Sequence, residues 1–324
     1  MAKAGLSGGA VTKEGGSMKT LVIGSAMFEM LMKLDALPKT GEDVLCRESD
    51  MIIGGCAYNV AGTLRNMGCP HDLCVPVGKG PYAAVIAQHL KRCGYEILIR
   101  DESQDNGWCL DLVEADGERT FITSQGIEAT FRKEWFDGIA IAAYDKIYVS
   151  GYQLCGDSGR EMAQRLESLR GKQLFFAPGP VIGQIPEAVK AAIYRCHPIL
   201  HLNEKEAGEE SGENRVKEAA ESLYDRTGNL VIITLGAKGA LFYDGNALHS
   251  IPSEPTVVAD TIGAGDSHMG AVIASLSGGY DTETAIRIAN RVAAAIVGIQ
   301  GPVMDREQFE ERLGEWNEKD QRVF

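Results

Sequence analysis

Short apolar runs alternate with amphipathic stretches along most of the chain. Runs rich in β-branched and aromatic residues stand at KTLVIG (19–24), DLCVPVG (72–78), KIYVS (146–150), QLFFA (173–177), PILHL (198–202) and LVIITLG (230–236). They read as buried strands, several of them stopped by glycine. Between them, apolar residues at helical spacing predict helices over 57–67, 81–93, 158–170, 186–196 and 214–227. The last, NRVKEAAESLYDRTG, offers Asn214 as its cap and Gly228 as its stop. Strand–helix alternation of this kind predicts an α/β fold with a doubly wound, mostly parallel sheet flanked by helices.

Two regions break the alternation. DVLCRESDMII (43–53) and GWCLDLVEADGERTFITSQG (107–126) are strand-like, and no helix follows either. The second contains ADGE, an Asp-Gly hairpin turn. Both predict a small β-strand flap beside the main sheet. A further hairpin is expected at 240–251, and three helical stretches close the chain at 264–277, 282–299 and 305–317. The leader, 1–17, lacks the apolar middle of a signal peptide and reads as a flexible extension or expression remnant, leaving 18–324 as the domain.

Composition narrows the classes. A formal net charge of −13 argues against a nucleic-acid partner, which calls for a basic face. It leaves room for a small anion, because a glycine-rich loop binds phosphate with backbone N–H groups alone. No stretch is long and apolar enough for a transmembrane helix. Eight scattered cysteines form no CxxC pair, which disfavours a zinc ribbon and suits a reducing, cytoplasmic setting.

Four clusters carry candidate chemistry. DTIGAGDSHMG (260–270) turns through Gly263, Ala264 and Gly265 into a small-residue helix. Backbone N–H groups at such a start form an anion cradle, and Asp266 in the first turn is expected ionised. That pair suits phosphoryl transfer: a carboxylate takes the attacking hydroxyl's proton while donors stabilise the moving charge. An Asp-capped helix after a glycine turn explains the motif equally well on its own. In MIIGGCAYN, Gly54 and Gly55 would let a polyol approach the backbone, and Asn59 adds a donor and an acceptor. In HLNEKEAGE, Asn203 and Glu206 share a helix face beyond a strand end, where they could hold hydrated Mg²⁺ or simply cap a helix. In ITLGAKGALFY, Gly236 and Gly239 flank Lys238 directly after a buried strand, as a phosphate or ribose contact or a plain turn.

In this order the four clusters resemble the ribokinase (PfkB) family of carbohydrate and nucleoside kinases, over essentially the whole chain after the leader. DTIGAGDSHMG looks like the family's C-terminal signature, GGCAYN like its Gly-Gly-x-x-x-Asn, NEKE like its Asn-x-x-Glu, and DGERTF like its lid hairpins. NGWCLDLVEADGERTF and SGYQL are similar to a bacterial subgroup of sugar kinases. The resemblance implies a ribokinase-like fold with a lid, and ATP-dependent phosphorylation of a sugar or nucleoside. It assigns Asp266 as base, and Gly263, Ala264 and Gly265 as anion hole. Asn203 and Glu206 would organise Mg²⁺ and phosphates, with Thr234, Gly236, Gly239 and Asn290 around the nucleotide. Glu29, Gly54, Gly55 and Asn59 would bind substrate. Asp260, the Ile262 carbonyl and the Gly301 loop are implied candidates for K⁺. Independently of the resemblance, the exposed edges of the flap could pair two copies into a homodimer.

Some positions depart from the pattern. Glu29 stands where the family usually has an Asp that grips sugar hydroxyls. Lys79 replaces a Gly-x-Asp and reads as a solvated surface lysine. Cys56 reads as small packing, and His268 as packing beside the motif. An oxidoreductase is disfavoured because VIGSAMFEM lacks Gly-x-Gly-x-x-Gly, and a P-loop NTPase because no Gly-x4-Gly-Lys-Ser/Thr occurs. A catalytically silent sugar or nucleotide sensor is disfavoured by the retained Asp266.

Overall fold

The computed structural model describes residues 19–115, 119–156, 158–169 and 171–314. Its elements run in the order β1 (Lys19–Ile23), β2 (Met27–Lys33), β3 (Glu48–Gly54), α1 (Cys56–Asn66), β4 (His71–Cys74), β5 (Pro76–Val77), α2 (Pro81–Arg92), β6 (Ile99–Arg100), β7 (Trp108–Val113) and β8 (Arg119–Ser124). There follow β9 (Tyr144–Ser150), α3 (Ser158–Ser168), β10 (Gln173–Ala177), α4 (Glu187–Tyr194), β11 (Ile199–Asn203), α5 (Glu204–Ser211), α6 (Val216–Thr227) and β12 (Val231–Thr234). The chain continues through β13 (Ala240–Tyr243), β14 (Leu248–Ile251), α7 (Ala264–Ser277), α8 (Thr282–Val297) and α9 (Arg306–Leu313).

Eight strands form the main sheet in the order β14-β13-β12-β11-β10-β9-β1-β4. Pairing is parallel from β4 to β12 and antiparallel for β13 and β14. The continuous apolar runs have a direct cause, because each strand feeds a core on both faces. Val22, Tyr148, Phe175 and Ile232 point to the side of α1, α7 and α8. Their neighbours Leu21, Ile147, Phe176 and Val231 point to the side of α3, α4 and α6.

A separate four-stranded sheet has the order β3-β2-β7-β8. Here the sequence reading needs correction. The strand expected from 43 begins at Glu48, and the central strand β2 was not foreseen at all. β2 alternates between its two faces and takes its partners from β3 and, far along the chain, β7. The 107–126 segment is the expected hairpin, β7 against β8, although its turn residues Asp116 to Glu118 lie outside the described residues. So do the leader and the end of the last predicted helix. The 72–78 run divides, since β5 pairs with β6 away from the main sheet. Arg215, not Asn214, precedes α6, and no side chain caps it. No described helix is long and apolar enough to cross a membrane.

Candidate active site

The parallel strands end on one side of the sheet, where backbone groups are unpaired and ligands gather in α/β folds. Asn203 closes β11 and Thr234 closes β12 at that edge. Three cavities lie along it. One of about 540 Å³ is walled by Thr234, Gly236, Gly239, Asn290, Ala294 and Val297. One of about 410 Å³ lies under the small sheet and is lined by Glu29, Asn59, Asp111, Phe121, Thr123 and Asp266. The third, about 220 Å³, sits between them against Asn203, Glu206, Gly265 and Asp266. Gly265 borders the first and third cavities, and Asp266 the second and third.

The start of α7 makes that partition. Gly263 precedes the helix with φ of 74°, a left-handed turn that favours glycine, and it abuts Pro302 so closely that no side chain fits. No protein atom lies near the space a side chain at Gly265 would fill. Among the described residues, the N–H groups of Gly265 and Asp266 have no protein acceptor, whereas that of Ala264 turns back to the Thr261 carbonyl at 3.4 Å. The Gly263 N–H likewise has no protein acceptor, so of the Gly263–Gly265 cradle expected from the motif two N–H groups are free, with that of Asp266 beside them.

Asp266 is held from across the chain. Asn59 Nδ2 donates to its Oδ2 at 2.8 Å, and the Cys56 thiol also donates to it. Burial raises its pKa to about 6, against the pull of both donors, with the Glu206 charge adding to the rise. At neutral pH it is still mostly a carboxylate, but burial rather than the helix start dominates its chemistry. Burial also pushes the Cys56 thiol well up, so it acts as a neutral donor and not as a nucleophile.

Glu29 extends from β2 into the 410 Å³ cavity. Desolvation, then Asp111 and Asp266, push its pKa up to about 8. The Gly54–Gly55 turn serves this residue first. A side chain on Gly54 would occupy the Glu29 carboxyl, and one on Gly55, whose φ is 99°, would meet the Ser25 carbonyl at 2.7 Å. Gly55 lines the cavity; Gly54 lies behind Glu29.

Asn203 and Glu206 form a reciprocal capping box: Asn203 Oδ1 accepts from the Glu206 N–H at 2.9 Å, and Glu206 Oε2 from the Asn203 N–H at 3.1 Å. The plain capping explanation and the pocket position thus hold together. Burial raises the Glu206 pKa, so a nearby cation would relieve an existing penalty. Two oxygen-bearing residues facing the 220 Å³ cavity fit a hydrated Mg²⁺.

The other assignments fare differently. Asp260 Oδ1 accepts from the Ile262 N–H (2.8 Å) and Oδ2 from the Gly301 N–H (3.0 Å), and Arg119 of β8 pairs with the same carboxylate at 2.8 Å. The three K⁺ candidates are brought together, but a lid arginine already neutralises the carboxylate. Asn290 lines the 540 Å³ cavity with its polar atoms spent on protein. Its Nδ2 donates to the carbonyls of Ile251 (3.0 Å) and Pro252 (3.2 Å), so its Oδ1 accepts from His268 Nε2 at 3.2 Å. His268 Nδ1 must then accept, and His201 Nε2 donates to it at 2.9 Å. Burial holds His201 well below its ordinary value and His268 near about 4, so this chain is neutral and structural. Lys79 is exposed and paired with Glu102, as expected of a surface lysine.

Sequence reasoning missed Arg119, Asp111, Phe121 and His201. Arg119 stood within the DGERTF motif, but nothing local tied it to Asp260. Strand alternation in β7 and β8 was the one available signal for Asp111 and Phe121.

Residues 18–307 match the profile of the pfkB family carbohydrate kinases. The chain belongs to the pfkB family. It is 36% identical over 287 residues to the uncharacterized sugar kinase YegV of Escherichia coli, covering 87% of this chain and 89% of that one. It is 27% identical to ribokinase of Bacillus subtilis, over 90% and 98% of the two chains. The fold matches ribokinase of Thermotoga maritima with a TM-score of 0.80 and 25% identity, over 91% and 99% of the chains. It also matches Arabidopsis thaliana ribokinase complexed with ribose and ATP, with a TM-score of 0.77 at 20% identity, over 92% and 99%. As a pfkB-family kinase, the protein is a phosphotransferase that acts on a sugar hydroxyl, and the family implies ATP as donor.

Two predictions follow from the carboxylates. Asn59 lowers the Asp266 pKa, so Asn59→Ala should move the acid limb of kcat from near pH 6 to higher pH; a folded variant with an unmoved limb would contradict this. Glu29 favours the protonated form on folding, so its stabilising contribution is full below its ordinary pKa and is lost as pH rises through about 8. Glu29→Gln should therefore melt near wild type at pH 4 and increasingly above it as pH rises, by about 2–4 °C or more at pH 9. A difference that does not grow with pH would refute the shift.

Proposed function

We propose that Asp266 is the catalytic base of an ATP-dependent sugar kinase. The observation that carries this reading is its position between two cavities, anchored by Asn59, beside the unpaired N–H groups of residues 265 and 266. A sugar in the 410 Å³ cavity presents a hydroxyl to the carboxylate, which takes its proton as the oxygen attacks the γ-phosphoryl group. The two N–H groups stabilise charge gathering on the transferred group.

ATP occupies the 540 Å³ cavity, its base against the apolar wall of Ala293, Ala294 and Val297, and its phosphates directed past Gly265. Mg²⁺, when bound near Glu206, supplies charge neutralisation at the phosphates. Asn203 holds Glu206 in place for this. K⁺ has no part in this reading, because Arg119 already compensates Asp260. The small sheet acts as the lid and excludes water that would otherwise hydrolyse ATP. Its edge strands β3 and β8, with Met51 and Ile122 exposed, offer a surface to a second copy.

Thermal shift in the presence of a non-hydrolysable ATP analogue and Mg²⁺ tests the acceptor class. Aldoses or ketoses should raise the melting temperature, because they bind the folded state alone. Stabilisation by nucleosides only would replace this reading with that of a nucleoside kinase.

A further inference from the structure

The cavity beneath the small sheet has an uneven chemistry. Four carboxylates line it, from Glu29, Asp111, Glu128 and Asp266, and no Lys, Arg or His does. Glu128 is spent on the fold, accepting from the N–H groups of Gly107 and Gly126 and from Asn106 Nδ2. Glu29 and Asp266 belong to the kinase chemistry. Asp111 has no such role.

Strand register puts Asp111 there. On β7, side chains alternate between faces, so Cys109 and Asp111 share one. Cys109 stands opposite Glu29 of β2 and Thr123 of β8, and Asp111 stands opposite Phe121. All five line the cavity. Asp111 is 1% exposed. Its Oδ1 accepts from the Cys109 thiol at 3.2 Å, while its Oδ2 has no partner. Asn59 Oδ1, on the opposite wall, is buried and unpartnered too. Orphaned buried acceptors cost free energy unless a donor arrives with the ligand. Phe121 stays 53% exposed beside them, an apolar face suited to the C–H side of a sugar ring.

We propose that the acceptor is a sugar that carries no phosphate, and that Asp111 selects it by accepting a hydroxyl hydrogen bond at its free Oδ2. The inference rests on the sugar-kinase reading above and narrows it. A phosphorylated substrate brings two negative charges and needs cationic or N–H partners. Among the described residues the cation that acts on Glu29 and Asp111 is Arg119, which lines no part of the cavity and whose Nη2 is paired with Asp260. The free N–H groups of Gly263, Gly265 and Asp266 stand together at the start of α7, where the transferred phosphoryl group must sit. Burial already raises the Asp111 pKa, so a further anion would meet a site under electrostatic stress. Hydroxyl donors relieve that stress, because they satisfy carboxylate oxygens without adding charge.

The test uses the full chain with a non-hydrolysable ATP analogue and Mg²⁺ for binding, and with ATP for turnover. D-ribose, D-fructose and D-glucose are each paired with D-ribose 5-phosphate, D-fructose 6-phosphate and D-glucose 6-phosphate. The expected result is stabilisation and ADP release with at least one free sugar, and neither with its phosphate. Equal or tighter binding of a phosphate overturns the proposal. So does failure of every free sugar while the ATP analogue still binds, an outcome that leaves the kinase reading intact. A free sugar that binds without any ADP release sinks the kinase reading instead and leaves the substrate class standing. In Asp111→Asn, folded by its melting temperature, KM for the active sugar should rise by about tenfold or more while kcat changes far less. A KM within about twofold of wild type removes Asp111 from recognition.

Discussion

The hydrogen bond from Asn59 to Asp266 ties the whole site together. It spans 207 residues of sequence and joins the N-terminal turns of α1 and α7. The helices meet closely because Gly270 of α7 leaves room for the Thr63 side chain and the Val60 carbonyl of α1. That contact brings the wall of the 410 Å³ cavity and the unpaired N–H groups beside the 220 Å³ cavity to one carboxylate. On the proposed reading, the contact holds base and acceptor pocket in one frame, as near-attack geometry requires.

Electrostatics gives the same site its tension. Glu29, Asp111, Glu206 and Asp266 are all desolvated, and each has its carboxyl pKa pushed up. The protein offsets this unequally. Asp266 receives two donors and stays ionised near neutrality, which suits it to the proposed role of base. Glu29 receives much less and remains protonated, which makes it a hydrogen-bond donor as well as an acceptor. Arg119 reaches from the lid to Asp260 in the loop before α7, so the lid and that loop share one ion pair. Breaking such a buried pair leaves an uncompensated charge, which couples lid position to the integrity of that loop.

Much of this was legible in the residues. Parallel strands buried on both faces read as continuous apolar runs, so β1, β9, β10, β11 and β12 stood out. Glycine-rich turns and the Asn-x-x-Glu pair were visible because their chemistry is local. What stayed hidden depends on distant partners. β2, MFEMLMK, carries no alternating pattern and gains its place only from β3 and β7 on either side. Asp111 looks like the polar half of a half-buried strand, and only register shows that its face is the pocket. His201 and His268 lie 67 residues apart and gain meaning only from their contact. At Gly54 the reading expected a polyol against bare backbone, whereas the structure puts the Glu29 carboxyl there.

The measurement that bears most directly on the catalytic assignment is ADP release by Asp266→Asn beside wild type, on a sugar that wild type phosphorylates, with binding followed by thermal shift. A general base predicts that turnover falls by about a hundred- to ten-thousandfold while nucleotide and sugar still bind. Turnover within a few-fold of wild type in a folded variant would show that the proton goes elsewhere.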